Sequence, residues 1–224
     1  MKVPLSFLRV AACAAASLAL TTSAWADIVS VAVSGHVFRV PGNLQNAPIV
    51  DPSGGGLLVD ENSFTASQID FNTGAAGTLS TFLNFNGSAT STVGVLGLGD
   101  LMSSCSGTVT TSSTCYSTVI HITGTFTFIA GDTYTLTHDD GANMFVNGVQ
   151  VVNSPVPTTP TPNNFLGGGL VNAPFDIFYM ATNQNPEVLQ LSHTAAVPEP
   201  ASVLLLGTVL VGLAAIKRRQ MRRS

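Results

Sequence analysis

The side chains in this chain with chemistry to offer are four histidines, three cysteines and twelve carboxylates. His36, His121, His138 and His193 stand apart, and none has the spacing of a zinc site. No G-x-S-x-G elbow, H-E-x-x-H helix or Walker-type loop accompanies the abundant serines. No pair of carboxylates declares itself as an acid–base couple. The reading is therefore of a protein that is not an enzyme, with a hydrolase as the weakest of the alternatives. Cys105 and Cys115 flank the polar stretch SGTVTTSST. In an oxidising compartment an even pair of this kind is expected to form a disulfide. Two unlinked thiols are the alternative, since sequence does not show the Cα spacing a bridge needs.

Charge narrows the partners. Residues 27–196 hold eleven acids against one base, Arg39, a formal charge of −10. Nothing on such a surface would neutralise phosphates, so nucleic acid and anionic lipid are poor partners and divalent cations suitable ones. Acidity that serves only solubility is the competing account.

Both ends read as addresses. MKVPLSFLR carries Lys2 and Arg9, an apolar VAACAAASLAL follows, and TTSAWA closes on small residues. This is a signal peptide over 1–26, with cleavage expected between Ala26 and Asp27. Arg9 lies four residues before Cys13 and leaves no apolar stretch upstream of it, so lipidation of Cys13 is not expected. At the other end Ala201–Ile216 is free of charge, and five basic residues follow within eight positions. As a helix these residues reach about 24 Å. That is short of a hydrocarbon core of about 30 Å, a gap that bilayer thinning and snorkelling basic side chains can close. The run has no polar face, which argues against a buried core helix, and the basic cluster places the last residues in the cytoplasm.

Between the ends the pattern is all β. In STVIHITGTFTF, Ile120, Ile122, Phe126 and Phe128 face one side, while His121, Thr123, Thr125 and Thr127 face the other. Strict alternation is a half-buried strand, and it leaves His121 a solvated side chain. TYTLTH repeats the alternation, and Asn147-Gly148 in MFVNGVQVV is a hairpin signal. Further strands are expected near IVSVAV, GLLVD, TLSTFLNF, FDIFYM and EVLQLSH. No convincing helical periodicity interrupts them. The expected fold is a single antiparallel β-sandwich over 27–196, between the signal peptide and a C-terminal transmembrane helix. The Pro- and Gly-rich NSPVPTTPTPNNFLGGGLVNAP reads as a long connection, a mobile cover or an extended spacer.

Two resemblances follow from these residues. Val197-Pro198-Glu199-Pro200, the apolar run and the basic cluster (197–224) resemble a PEP-CTERM sorting signal of Gram-negative bacteria, many of them makers of exopolysaccharide. That implies an exosortase as partner, processing near Pro198-Glu199-Pro200, transient membrane anchoring, and a final place on the cell surface or in the extracellular matrix. The second covers Val119 to His193, where TGTFTFIAGDTYTLTHDDGANMFVNG and, further on, APFDIFYM and EVLQLSH resemble the lectin-like β-sandwich named after the anthrax protective antigen. The family's hairpin carries Asp where this chain has Asn147, and a closing tryptophan is replaced by His193.

In adhesins of that family consecutive aspartates hold a calcium ion that binds sugar hydroxyls. The resemblance implies this role for Asp139 and Asp140, with calcium as cofactor and polysaccharide as partner. Calcium takes six to eight oxygens, so loops and water must complete the set. Asn153, Asn163, Asn164 and Asn172 qualify on chemistry alone. A tight turn in which the carboxylates accept backbone hydrogen bonds explains Asp139-Asp140-Gly141 without a metal. The function classes that remain are a carbohydrate-binding surface or matrix protein and a purely structural matrix component.

Overall fold

The computed structural model describes residues 26–42, 46–48, 60–74, 77–94, 100–105, 115–182, 186–196 and 209. The expected leader up to Trp25, most of the strand expected at GLLVD, Pro198-Glu199-Pro200 and the apolar segment 201–216 (Val209 aside) lie outside them. No helix among the described residues is long and apolar enough to cross a membrane.

Among the described residues twelve strands form two antiparallel sheets. The first strands are β1 (Asp27–Ile28), β2 (Ser30–Pro41), β3 (Asp60–Gln68), β4 (Asp70–Asn72), β5 (Ala89–Gly94) and β6 (Tyr116–Phe128). They are followed by β7 (Thr133–Asp139), β8 (Gly141–Val146), β9 (Val149–Ser154), β10 (Thr161–Leu166), β11 (Leu170–Ala181) and β12 (Val188–Thr194). One sheet of seven strands runs β5-β3-β2-β6-β11-β8-β9; the other, of five, runs β1-β12-β7-β10, with β4 also on β12. The alternation read in the sequence sets the inner faces. Ile120 and Ile122 of β6, with Ile177 and Tyr179 of β11, are fully buried across the core from Tyr134 and Leu136 of β7 and Leu189 and Leu191 of β12. Asn147 (φ 50°) and Gly148 (φ 77°) form the β8–β9 turn, where both central residues need a positive φ.

Three expectations are corrected. TLSTFLNF is not a strand. Leu79–Leu83 is a helix, α1, whose start is closed by a capping box between Thr78 and Thr81. Leu79, Phe82 and Leu83 are buried at i, i+3 and i+4, the apolar spacing of a one-sided helix, too short a run to stand out as periodic. The long connection is not a spacer either: Thr161–Leu166 within it is β10, paired with β7 along its length. Pro162 is tolerated because, among the described residues, β10 is a sheet edge. Finally, His121 is buried rather than solvated. It does face away from the core, but on that outer face its ring stacks on Phe178 (4.4 Å between centroids) and Nε2 lies 3.0 Å from Asp176 Oδ1. Sheet neighbours two strands wide can cover a side chain that a single strand's alternation leaves open.

Cys105 and Cys115 form a disulfide with Cα atoms 5.0 Å apart.

Candidate functional site

Strands β7 and β8 are consecutive in sequence but belong to different sheets, so Asp139-Asp140-Gly141 is the corner at which the chain crosses the sandwich. Gly141 is required there: a Cβ would fall 2.2 Å from the carbonyl oxygen of Pro155. The peptide bond between Asp139 and Asp140 is cis.

The backbone of this corner is held from several elements. The Tyr179 hydroxyl, from β11, donates to the carbonyl oxygen of Asp139. The carbonyl of Asp140 accepts from His138 Nδ1 at 2.6 Å and from the Thr158 hydroxyl at 3.0 Å. His138 Nε2 in turn lies 2.8 Å from Asn163 Nδ2 on β10. A ring that donates through Nδ1 and accepts through Nε2 is a neutral imidazole. Burial holds the His138 pKa below its ordinary value, in agreement. The Asp140 carboxylate accepts from the backbone N–H of Thr182 at 2.7 Å, a contact 42 residues away in the chain rather than within a turn.

Three acids are gathered here. Asp139, Asp140 and Glu187 are each under a tenth exposed. Burial, then the charge of Asp140, pushes the Asp139 carboxyl up to about 7. Glu187 rises well above the carboxylate range, again by burial first and by Asp140 second. The hydrogen bonds require the same of it. Glu187 Oε2 lies 2.8 Å from the Tyr179 hydroxyl, which has one proton and also faces the Asp139 carbonyl. One of the two bonds must therefore use a proton from Glu187, whose other oxygen, Oε1, is buried without a partner. Tyr179 itself is set by a row of rings: Phe71 stacks on Phe82 of α1 at 5.4 Å, and Phe82 on Tyr179 at 5.5 Å. The one arginine of residues 27–196 is engaged elsewhere. Arg39 bonds Asp100 at 3.4 Å and lies 3.8 Å over the Tyr116 ring.

Among the described residues no three His, Cys, Asp or Glu side chains converge on a point where a metal could sit. Glu187 is turned to Tyr179, so an ion at this corner would rest on the two aspartates, with carbonyl and amide oxygens and water for the remainder. This donor chemistry suits a hard cation and not a thiophilic one. The asparagines separate. Asn163, through His138, is tied to the corner, and Asn153 is on β9, in register with Asn143. Asn164 turns to Thr135, and Asn172 lies at the far end of β11, near Thr127. Glu187, Tyr179 and His138 escaped the sequence reading of the site. His138 carries only the inward parity of its strand, while Tyr179 and Glu187 fall in register with the closing strands of the lectin-like resemblance, which gives them no role at this corner.

The comparisons with known proteins fall on two parts of the chain. Residues 196–219 match the PEP-CTERM protein-sorting motif. No curated protein matches the chain by sequence. Among solved structures the PA14 domain of an antifreeze protein superposes with a TM-score of 0.50 at 16% identity, covering 81% of this chain and 89% of that one. A PA14 sugar-binding domain from an RTX adhesin gives 0.49 at 18% identity, over 73% and 89% of the two chains. An α-xylosidase from Xanthomonas citri gives 0.42 at 12%, over 80% of this chain and 16% of that one. The chain thus joins a PEP-CTERM sorting motif to a lectin-like sandwich of the PA14 type, a likeness of fold.

Proposed function

We propose that this is an exported, non-enzymatic protein of the cell surface or extracellular matrix that binds carbohydrate through a calcium ion held at Asp139 and Asp140. Its PEP-CTERM motif implies export and membrane-anchored sorting. The observation that carries the site is the pair of adjacent aspartates under cover, one of them pushed up to about 7, in a domain whose one arginine is committed to Asp100. Buried carboxylates without a cation are unfavourable, and a divalent ion held by two of them relieves the repulsion. An ion with some of its coordination open to solvent is a ready acceptor for vicinal sugar hydroxyls. The PA14-type fold and the resemblance around Asp139-Asp140-Gly141 support the same reading.

A calorimetric calcium titration of residues 27–196, followed by binding to the producer's own polysaccharide in calcium and in chelator, tests it. Binding that needs calcium and is lost in Asp140→Ala is expected. A domain that binds neither calcium nor polysaccharide is a structural filler of the matrix. The sorting step has its own test. Exosortase processing around Pro198-Glu199-Pro200 removes Arg222 and Arg223, so mass spectrometry that finds both on most of the extracellular protein rejects it.

A further inference from the structure

The end of the sandwich opposite the aspartate corner is apolar and exposed. Asp139 and Thr133 terminate the same strand, β7, six residues apart, which is about 20 Å. Around Thr133 three turns meet: 129–132, 147–149 and 166–171. Gly131 N bonds Gly167 O at 3.2 Å, and Gly167 N bonds Asp132 O at 2.8 Å. From these turns Ile129 (53%), Val149 (65%), Leu166 (72%) and Val171 (74%) project into solvent. Beside Val149 and Leu166 opens a cavity of about 310 Å³ walled by Phe128, Val146, Val151, Phe165 and Leu170. The three turns contain no Lys, Arg or Glu, and their one acid, Asp132, is buried. On a domain of formal charge −10 these turns are greasy and expose no charge; the exposed acid at this end is Asp27 of β1, in register with His193. Exposed aliphatic clusters of this kind mark contact surfaces.

The chain says what lies opposite. Strand β12 leaves the sandwich at this end, with Thr194 beside Thr133, and Leu166 pairs with Thr133 from the other side. From Ala196 to Ala201, the first residue of the apolar run, there are five peptide links, at most about 18 Å of chain. While that run is held in a bilayer, the end of β12 cannot leave its vicinity. We propose that this apolar end is a membrane-docking face. In the anchored precursor Val149, Leu166 and Val171 enter the headgroup–acyl boundary, and the cavity receives an acyl chain. The patch is small, so it docks only because the tether keeps its local concentration high, and release of the tail lets the domain go. Lipid is favoured over a second copy of the chain, because two domains of charge −10 repel while turns that expose no charge do not repel a zwitterionic bilayer. The inference rests on the anchoring read from the sorting motif.

The test uses the full chain, with Cys13→Ala, reconstituted in phosphatidylcholine–phosphatidylethanolamine vesicles at high dilution in lipid. An environment-sensitive dye is placed at Val171→Cys or, at the aspartate end, at exposed Thr159→Cys, and quenched by lipid spin-labelled near the headgroup. Quenching at 171 is expected to exceed that at 159 by threefold or more. Adding Val149→Asp and Leu166→Asp should bring it down to the level at 159 without changing the melting temperature. Equal quenching at both positions in chains that resist alkaline extraction overturns the docking face alone. Shielding at 171 that ignores the spin label and grows with protein density assigns the face to a second copy and overturns it too. Chains that alkaline extraction removes overturn the anchoring, and this inference with it.

Discussion

Replacing Asp139 by asparagine should make the domain more stable in chelator and less stable in calcium, at pH 8. At that pH the carboxyl, pushed up from 3.8 to about 7, is ionised in both the folded and unfolded chain. The shift corresponds to roughly 4 kcal/mol of unfavourable folding free energy at 1.36 kcal/mol per pH unit. Local relaxation and water penetration reduce this cost, leaving about 2 kcal/mol. Asp139→Asn removes that charge and keeps the shape. For a domain of this size a gain of about 2 kcal/mol raises the melting temperature by about 4–8 °C. Calcium reverses the order. An ion that binds only the folded state adds about 4.1 kcal/mol at a thousandfold excess over Kd, so the wild type then leads the variant by about 2 kcal/mol. Thermal melts of both proteins in chelator and in millimolar calcium give the comparison. If Asp139→Asn melts lower than wild type in chelator, the carboxylate has favourable partners and the charge argument fails. If the wild type melts at the same temperature in both solutions, no calcium is bound there.

Stability in chelator should also depend on pH in a sense set by the same group. Between about 4 and about 7 the folded Asp139 carries a proton that the unfolded chain has lost, so its contribution falls as pH rises through that window and is flat above it. Urea midpoints at pH 5, 6, 7 and 8, compared with those of Asp139→Asn, isolate this trend. Gly141→Ala, which drives a Cβ into the Pro155 carbonyl, should cost about 2–3 kcal/mol in either solution, read from urea unfolding. Reducing the Cys105–Cys115 bridge, which spans a sequence separation of 10, should cost about 2–3 kcal/mol by the loop-entropy account. The double variant Cys105→Ser, Cys115→Ser should match reduced wild type in the same assay.

Much of this protein is written locally. Residues 116–128, 133–138 and 188–193 declare their strands because a two-residue period with one face buried leaves a direct trace in the order of apolar side chains. Asn147-Gly148 declares its hairpin because few other pairs accept two positive φ angles. The sorting motif at 196–219 is read as a short linear signal and needs no folded context. The helix at Leu79–Leu83 and the strand at Thr161–Leu166 stayed hidden for opposite reasons. The first is too short for a period, and the second is an edge whose proline and asparagines look like loop until β7 is beside it.

The aspartate pair was visible in the sequence, but its environment was not. That Asp139 and Asp140 sit where the chain changes sheets depends on which strand pairs with which, a matter of contacts far apart in sequence. Glu187, 47 residues beyond Asp140, meets them where Tyr179 bridges the Asp139 carbonyl and the Glu187 side chain, its own backbone held by Thr73. His121 is covered by Phe178 of a neighbouring strand, 57 residues on. The grouping of Ile129, Val149, Leu166 and Val171 at the chain's exit is likewise the work of three turns brought together by the sandwich. Residue order determines periodicity, turns and linear motifs, because these depend on neighbours a few positions apart. Burial, and the charge state and exposure that follow from it, depend on what the fold places around a side chain, and only the tertiary structure decides that.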